Sequence, residues 1–158
     1  MTMQTPEIPN RSTSFVKEIE LGSSNLTLTI AGLRGEVAGE ALKIALNCLV
    51  RIASSDAKLQ VGEEVITAEQ AWELGLVTHI CPPDDLERIV LKKAREIGEL
   101  APLAIARAIE SVDGGIELSL DQAMELETKL FVACFETEDA REGPRAFLDK
   151  RKPVFRGV

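Results

Sequence analysis

Near residue 66 the apolar pattern of this chain changes period, and that change limits what it can fold into. Upstream, FVKEIEL (15–21) and NLTLTIAGL (25–33) alternate with the period of two of half-buried strands, and GSSN (22–25) reads as the turn between them. GEVAGEALKIAL (35–46) reads as a glycine turn running into an amphipathic helix. LVRIAS (49–54) is a further short strand, and DAKLQVGEEV (56–65) alternates weakly and ends in paired glutamates. The 15–33 stretch is the one clear hairpin signal.

Downstream, apolar residues recur at helical spacing. Thr67 with Gln70 is a capping box for a short helix closed by Gly75, and LVTHI (76–80) then extends until Pro82-Pro83. Asp84 with Glu87 is expected to cap the next helix, whose apolar stripe is Leu86, Ile89, Val90, Ala94 and Ile97. Pro102 suits the first turn of another helix, ending at Asp113-Gly114-Gly115. Ser119 with Gln122 caps the longest helix, with Ala123, Leu126, Leu130 and Cys134 inward. Thr137 caps a last segment that Gly143-Pro144 should break or restart. The expected order is a disordered lead over 1–14, an α/β core over 15–65 and a helical region over 66–158.

With 158 residues, a net charge of −8 and 45% hydrophobic residues, the chain suits a folded core and not a nucleic-acid binder. No apolar run reaches the roughly 18–20 residues of a membrane helix, and the first residues lack the charged start and apolar middle of a signal peptide. Cys48, Cys81 and Cys134 have no metal-ligand spacing, so no metal site is expected, and a reduced cytoplasmic setting fits them. The one histidine, His79, lies in an apolar run and reads more simply as a strand or interface residue than as a catalyst. No dinucleotide fingerprint, phosphate-binding loop or nucleophile elbow occurs.

Glu40 and Lys43 stand three apart on a helix, the spacing of an ordinary surface ion pair. Glu63 and Glu64 are adjacent, so in extended chain they face opposite ways, and a solvated turn is the simpler reading. DKRKPVFR (149–156) gathers Lys150, Arg151, Lys152 and Arg156 in an acidic protein, a pattern suited to an anion contact. Trp72 reads as core or interface.

Four segments resemble the crotonase superfamily, the enoyl-CoA hydratase/isomerase family: IAGLRGEVAGEALKIALNCLVRIASSDAK (30–58), ITAEQAWELGLVTHICPPDDL (66–86), APLAIARAIESV (101–112) and LFVACFETEDAREGPRAFLDKRKPVF (130–155). The resemblance implies a spiral of β-β-α turns, here truncated, followed by a helical C-terminal region that builds trimers or hexamers. It implies chemistry on acyl-CoA thioesters, with CoA part of the substrate and no separate cofactor. Two backbone N–H groups would stabilise a thioester enolate and acidic side chains would move the proton.

The departures are specific. The family segment that supplies the first oxyanion N–H has no counterpart here, because the residues before Ala31 are too few for spiral turns of about 20–30 residues each. A second gap follows Glu64, where the family carries a glycine-rich loop and a helix. Three family glycines correspond to Gly39, Glu40 and Ala41, so Glu40 stands where the second oxyanion N–H is donated. Lys43 stands at the first catalytic glutamate, and Glu63 or Glu64 corresponds to the second. Phe147 and Lys152 correspond to residues near the adenine and phosphates of CoA. Together these imply a shortened relative with acyl-CoA affinity but without ordinary two-glutamate hydratase activity. The alternative is a non-catalytic oligomerisation or binding module derived from the same fold.

Overall fold

The computed structural model describes residues 14–21 and 26–158, so the 1–14 lead (except Ser14) and the GSSN turn lie outside the described residues. The chain divides into two compact units, one formed by residues up to Glu18 with Leu28–Ala94, the other by Ile19–Thr27 with Arg95–Val158.

In the first unit the strands are β1 (Phe15–Leu21), β2 (Leu26–Leu33), β3 (Glu36–Val37), β4 (Val50–Ser54), β5 (Lys58–Val61), β6 (Glu64–Thr67) and β7 (His79–Cys81). Both β1 and β2 straddle the division. The order β1-β2-β4-β7 makes one sheet, and β3-β5-β6 the other. Ile30 of β2 lies beside Val50 of β4, and Ile52 of β4 beside His79 of β7, both in parallel register. In the second sheet Glu36 of β3 lies beside Lys58 of β5, again parallel. The chain therefore passes from the first sheet to the second, by β3 and then by β5–β6, before a helix returns it. Helices α1 (Gly39–Leu46) and α2 (Ala68–Glu73) make those returns. This is the β-β-α spiral.

A single apolar core joins the layers. It includes Leu33 of β2, Val37 of β3, Leu42 of α1, Ala53 of β4, Leu59 of β5 and Ile66 of β6. Arg51 ties the two helix exits together: Nε donates to the Leu76 carbonyl (2.7 Å), and Nη1 to that of Cys48 (2.8 Å). Thr67 caps α2 with Gln70 reaching back, as the sequence suggests.

Three expectations change. The 56–65 stretch is not merely weak alternation but the start of a second hairpin, β5–β6, with Val61 opposite Glu64. Gly62 at φ 65° makes the first position of its two-residue turn, a conformation that costs glycine little. The chain enters α3 (Leu86–Gly98) through a 3₁₀ turn at Pro83–Asp85, so Asp84 sits inside that turn and not as a cap before it. Asp85 instead accepts from Arg88 Nε at 3.0 Å. Trp72 is exposed, so of the two readings, core or interface, the core one falls.

In the second unit follow α4 (Pro102–Gly115), α5 (Leu120–Cys134) and α6 (Glu138–Leu148). Ser119 and Gln122 form the expected capping box of α5, and Thr137 caps α6. Gly143-Pro144 does not break or restart α6, which runs through Pro144. A proline inside a helix costs about 3 kcal/mol in isolation. Here tertiary contacts offset that cost: Ala146 is fully buried, and two α6 carboxylates bind the chain that follows. No helix among the described residues is long and apolar enough to cross a membrane.

Leu59 is fully buried between β3 and β6, which pair with its strand on either side. Leu59→Ala should lower unfolding free energy by about 2–5 kcal/mol, the usual cost of a core truncation. Urea denaturation of the two proteins side by side checks this.

Candidate functional site

The sequence nominates the start of α1. Ala38 is extended, and Gly39 takes φ 54°, a left-handed backbone that most side chains avoid. The chain can therefore turn sharply from β3 into the helix, whose first N–H groups lack intrahelical partners. Glu40 occupies that first turn, where a carboxylate favours the helix dipole. Its Oε2 lies 3.7 Å from Lys43 Nζ, with both side chains about three-quarters exposed (77% and 75%). An exposed i,i+3 pair of this kind is worth only a few tenths of a kcal/mol.

Strand β5 runs parallel to β3, so their C-terminal ends meet the same edge of the small sheet. The α1 start and the Gly62-Glu63 turn leave that edge. The fold thus brings Gly39 and Glu40 to one side of the unit with Glu63 and Glu64. Glu63 is in the hairpin turn and Glu64 opens β6, both exposed. His79 is an exposed strand residue whose Nδ1 lies 3.1 Å from Thr78 Oγ1. All three thiols are free. Burial, reinforced by Asp85, raises the Cys81 thiol above its ordinary value. No group of three or more metal-ligating side chains occurs among the described residues.

In the second unit Phe147 is 82% exposed on α6, and Lys152 Nζ lies 3.6 Å from Glu99 Oε1. Sequence periodicity reads TEDAREG only as a capped helix start, and the structure shows what its carboxylates do. Asp139, buried, accepts from the backbone N–H groups of Arg156 (2.7 Å) and Gly157 (2.8 Å). Glu142 accepts from Arg151 Nη1 (2.6 Å) and Nη2 (2.9 Å) and from the Val154 N–H (2.9 Å). Lys150, at φ 53°, reverses the chain so that Arg151 returns to α6. Two of the four cations in DKRKPVFR are therefore engaged by carboxylates of the chain itself. The signal for this clamp is the pairing of an acidic first turn with a basic tail about ten residues on, which local pattern reading does not connect.

The family model for enoyl-CoA hydratase/isomerase matches residues 58–158. The chain belongs to the enoyl-CoA hydratase/isomerase family. It is 33% identical to a probable enoyl-CoA hydratase of Bacillus subtilis, over 81% of this chain and 62% of that protein. It is 31% identical to a crotonyl-CoA hydratase of Syntrophomonas wolfei, over 80% of this chain and 60% of that protein. The crystal structure of an enoyl-CoA hydratase from Bacillus anthracis superposes with a TM-score of 0.73 at 27% identity, covering 82% of this chain and 62% of that one.

The chain thus spans about three fifths of the length of the relatives it matches. The Bacillus subtilis alignment runs over 161 residues yet takes in only 81% of this chain's 158, so that relative carries internal residues this family member lacks. Glu63, Glu64, Phe147 and Lys152 fall inside the segment matched by the family model, and Gly39, Glu40 and Lys43 fall upstream of it.

The tail clamp has a pH signature. Arg151 and the Val154 N–H hold the Glu142 carboxyl down to about 2. A depressed carboxyl stabilises the fold fully above its unfolded value of about 4.3 and loses that contribution as pH falls toward the folded value. The melting temperature of Glu142→Gln should therefore lie below that of the natural protein at pH 6. The gap should narrow between about pH 4.5 and 2. Calorimetric melts across that range check it.

Proposed function

We propose that this family member binds acyl-CoA thioesters and does not carry out ordinary two-glutamate hydration. The observation that carries this reading is the exposed Glu40–Lys43 pair at the start of α1. Adding water across a conjugated thioester takes one carboxylate to remove a proton and a second acidic group to deliver one. Lys43 stands at the position of the first, and its ammonium group is paired with a carboxylate. Glu40 stands where an oxyanion N–H is donated, and a carboxylate there repels developing negative charge. One carboxylate, Glu63 or Glu64, remains at the shared edge of the small sheet. A single base is enough for a proton shift along an acyl chain, which makes isomerase-type chemistry the activity least affected.

Relatives described as hydratases of enoyl-CoA and crotonyl-CoA support acyl-CoA as the ligand class. The exposed Phe147 ring and Lys152 ammonium suit stacking on an adenine and pairing with a phosphate. The free thiols fit a reducing, cytoplasmic compartment.

Incubated with crotonyl-CoA, the protein should consume the conjugated thioester at least about 10²-fold more slowly than a full-length hydratase, the lower bound for a lost acid–base group. Fast turnover that disappears in Glu63→Gln or Glu64→Gln would overturn the reading. Calorimetry with CoA should show saturable binding that Lys152→Ala weakens about tenfold, the loss of one charged contact.

The alternative, a non-catalytic oligomerisation module, is favoured by a separate observation. Ile116, Leu120, Phe147 and Leu148 of the second unit are each about three-quarters exposed or more. A contiguous patch of large apolar side chains marks an interface, and the module reading takes these four as parts of one. Self-association into a trimer or hexamer is the expected assembly. Light scattering at micromolar concentration should report a mass well above 17.2 kDa, and a stable monomer would contradict both the assembly and the module.

A further inference from the structure

Pro144 gives α6 a weak step inside the helix. Proline has no N–H, so the Ala140 carbonyl has no donor four residues on, and the ring crowds that turn. Gly143, just before the step, lowers the helix preference further. The part beyond it, 144–148, is less than two turns long, too short to hold helical form unaided.

The following chain crosses this step from the other side. Lys150 turns it back at φ 53°, and the Arg151 N–H donates to the Ala146 carbonyl (3.0 Å), which closes the helix. The Arg151 side chain then reaches Glu142, ahead of the proline, through Nη1 (2.6 Å) and Nη2 (2.9 Å). The Val154 N–H donates to the same carboxylate (2.9 Å). The Phe155 ring lies over Gly143, with Cε1 3.9 Å from the point that a Cβ on that glycine would occupy. Further on, the Arg156 and Gly157 N–H groups donate to Asp139, and the Glu138 N–H donates to the Val158 carbonyl (2.8 Å). The strap 150–158 therefore runs back along α6 from its last turn to its first, fixed on both sides of Pro144.

We propose that this strap is a releasable splint for α6, so that 144–148 and 150–158 open and close as one unit. The Glu142–Arg151 pair ties the helix before Pro144 to the reversal that ends it, and its two bonds are charge-assisted. Breaking that pair leaves 144–148 with an interrupted ladder behind it and an unanchored cap ahead. Helix α5 has its own capping box at Ser119 and packs on α4, where Leu126 meets Gly114, so the opening is confined to the end of α6 and the strap. Phe147 stands on the dependent half of α6 and Lys152 on the strap, so one opening moves both. The bearing of that movement on acyl-CoA rests on the reading proposed above, whereas the opening itself does not.

Hydrogen–deuterium exchange of the full chain, read amide by amide, tests the splint. In Arg151→Ala, protection should fall at least about tenfold, the loss of a charged contact, by the same factor at 145–148 and across the strap. The amides of α4 and α5 should be unchanged. Pro144→Ala restores the missing ladder bond and supplies the comparison. In Pro144→Ala/Arg151→Ala the strap alone should open, with 145–148 still protected. Protection at 145–148 that Arg151→Ala leaves intact overturns the splint, and so does protection lost equally with and without Pro144→Ala, or loss that spreads through α5. Melting curves show that the variants are folded. The exchange is measured without CoA, and Lys152→Ala tests the acyl-CoA reading by calorimetry, so the two ideas fail separately.

Discussion

Leu33, Ala53 and Leu59 meet in one apolar core between two sheets, and the placement of the other features of the first unit follows from that contact. A strand offers alternate side chains to its two faces; β5 buries one face through Leu59, while β2 and β4 are buried on both, and that burial fixes their register. Once the registers are set, the loops that connect the strands must leave from fixed edges. The β3–α1 turn and the β5–β6 turn emerge together for that reason. No direct contact between Glu40 and either hairpin glutamate is needed to bring them to one edge, since the parallel pairing of β3 with β5 does it.

In the second unit a carboxylate clamp does the corresponding work. Asp139 and Glu142, one turn apart on α6, take four backbone and side-chain partners from the chain beyond the helix. A buried or half-buried carboxylate needs such donors, because stripping its water without replacement is costly. The same bonds explain why a proline is tolerated inside α6. Holding the tail and carrying the helix through Pro144 are two consequences of one arrangement.

The start of α1 separates backbone geometry from surface charge. Gly39 keeps the left-handed turn that opens the helix, so the backbone geometry is served. The next positions carry Glu40 and Lys43, which satisfy each other at the surface. A weak exposed pair costs the fold almost nothing. The core contacts of this helix lie on Leu42 and Ala45, away from the exposed pair.

Much of the fold was legible in the sequence because its signals are local. The capping boxes at Thr67 and Ser119, the stripe from Leu86 to Ile97 and the alternation of FVKEIEL each depend on a few neighbouring residues, and they stand as read. The resemblance carried by the 66–86 and 130–155 segments led to the family for the same reason. What the local signals misjudged was decided at a distance. The β5–β6 hairpin formed from weak alternation because β3 supplied a partner strand. Helix α6 continued past Gly143-Pro144 because the tail held it. By itself, the sequence determined most of the helices and strands and the family they belong to. Only the tertiary structure decided that Glu63 and Glu64 share an edge with Gly39, and that Asp139 and Glu142 grip the chain end. Strand pairing and chain reversal join residues whose separation in sequence leaves no local periodic trace.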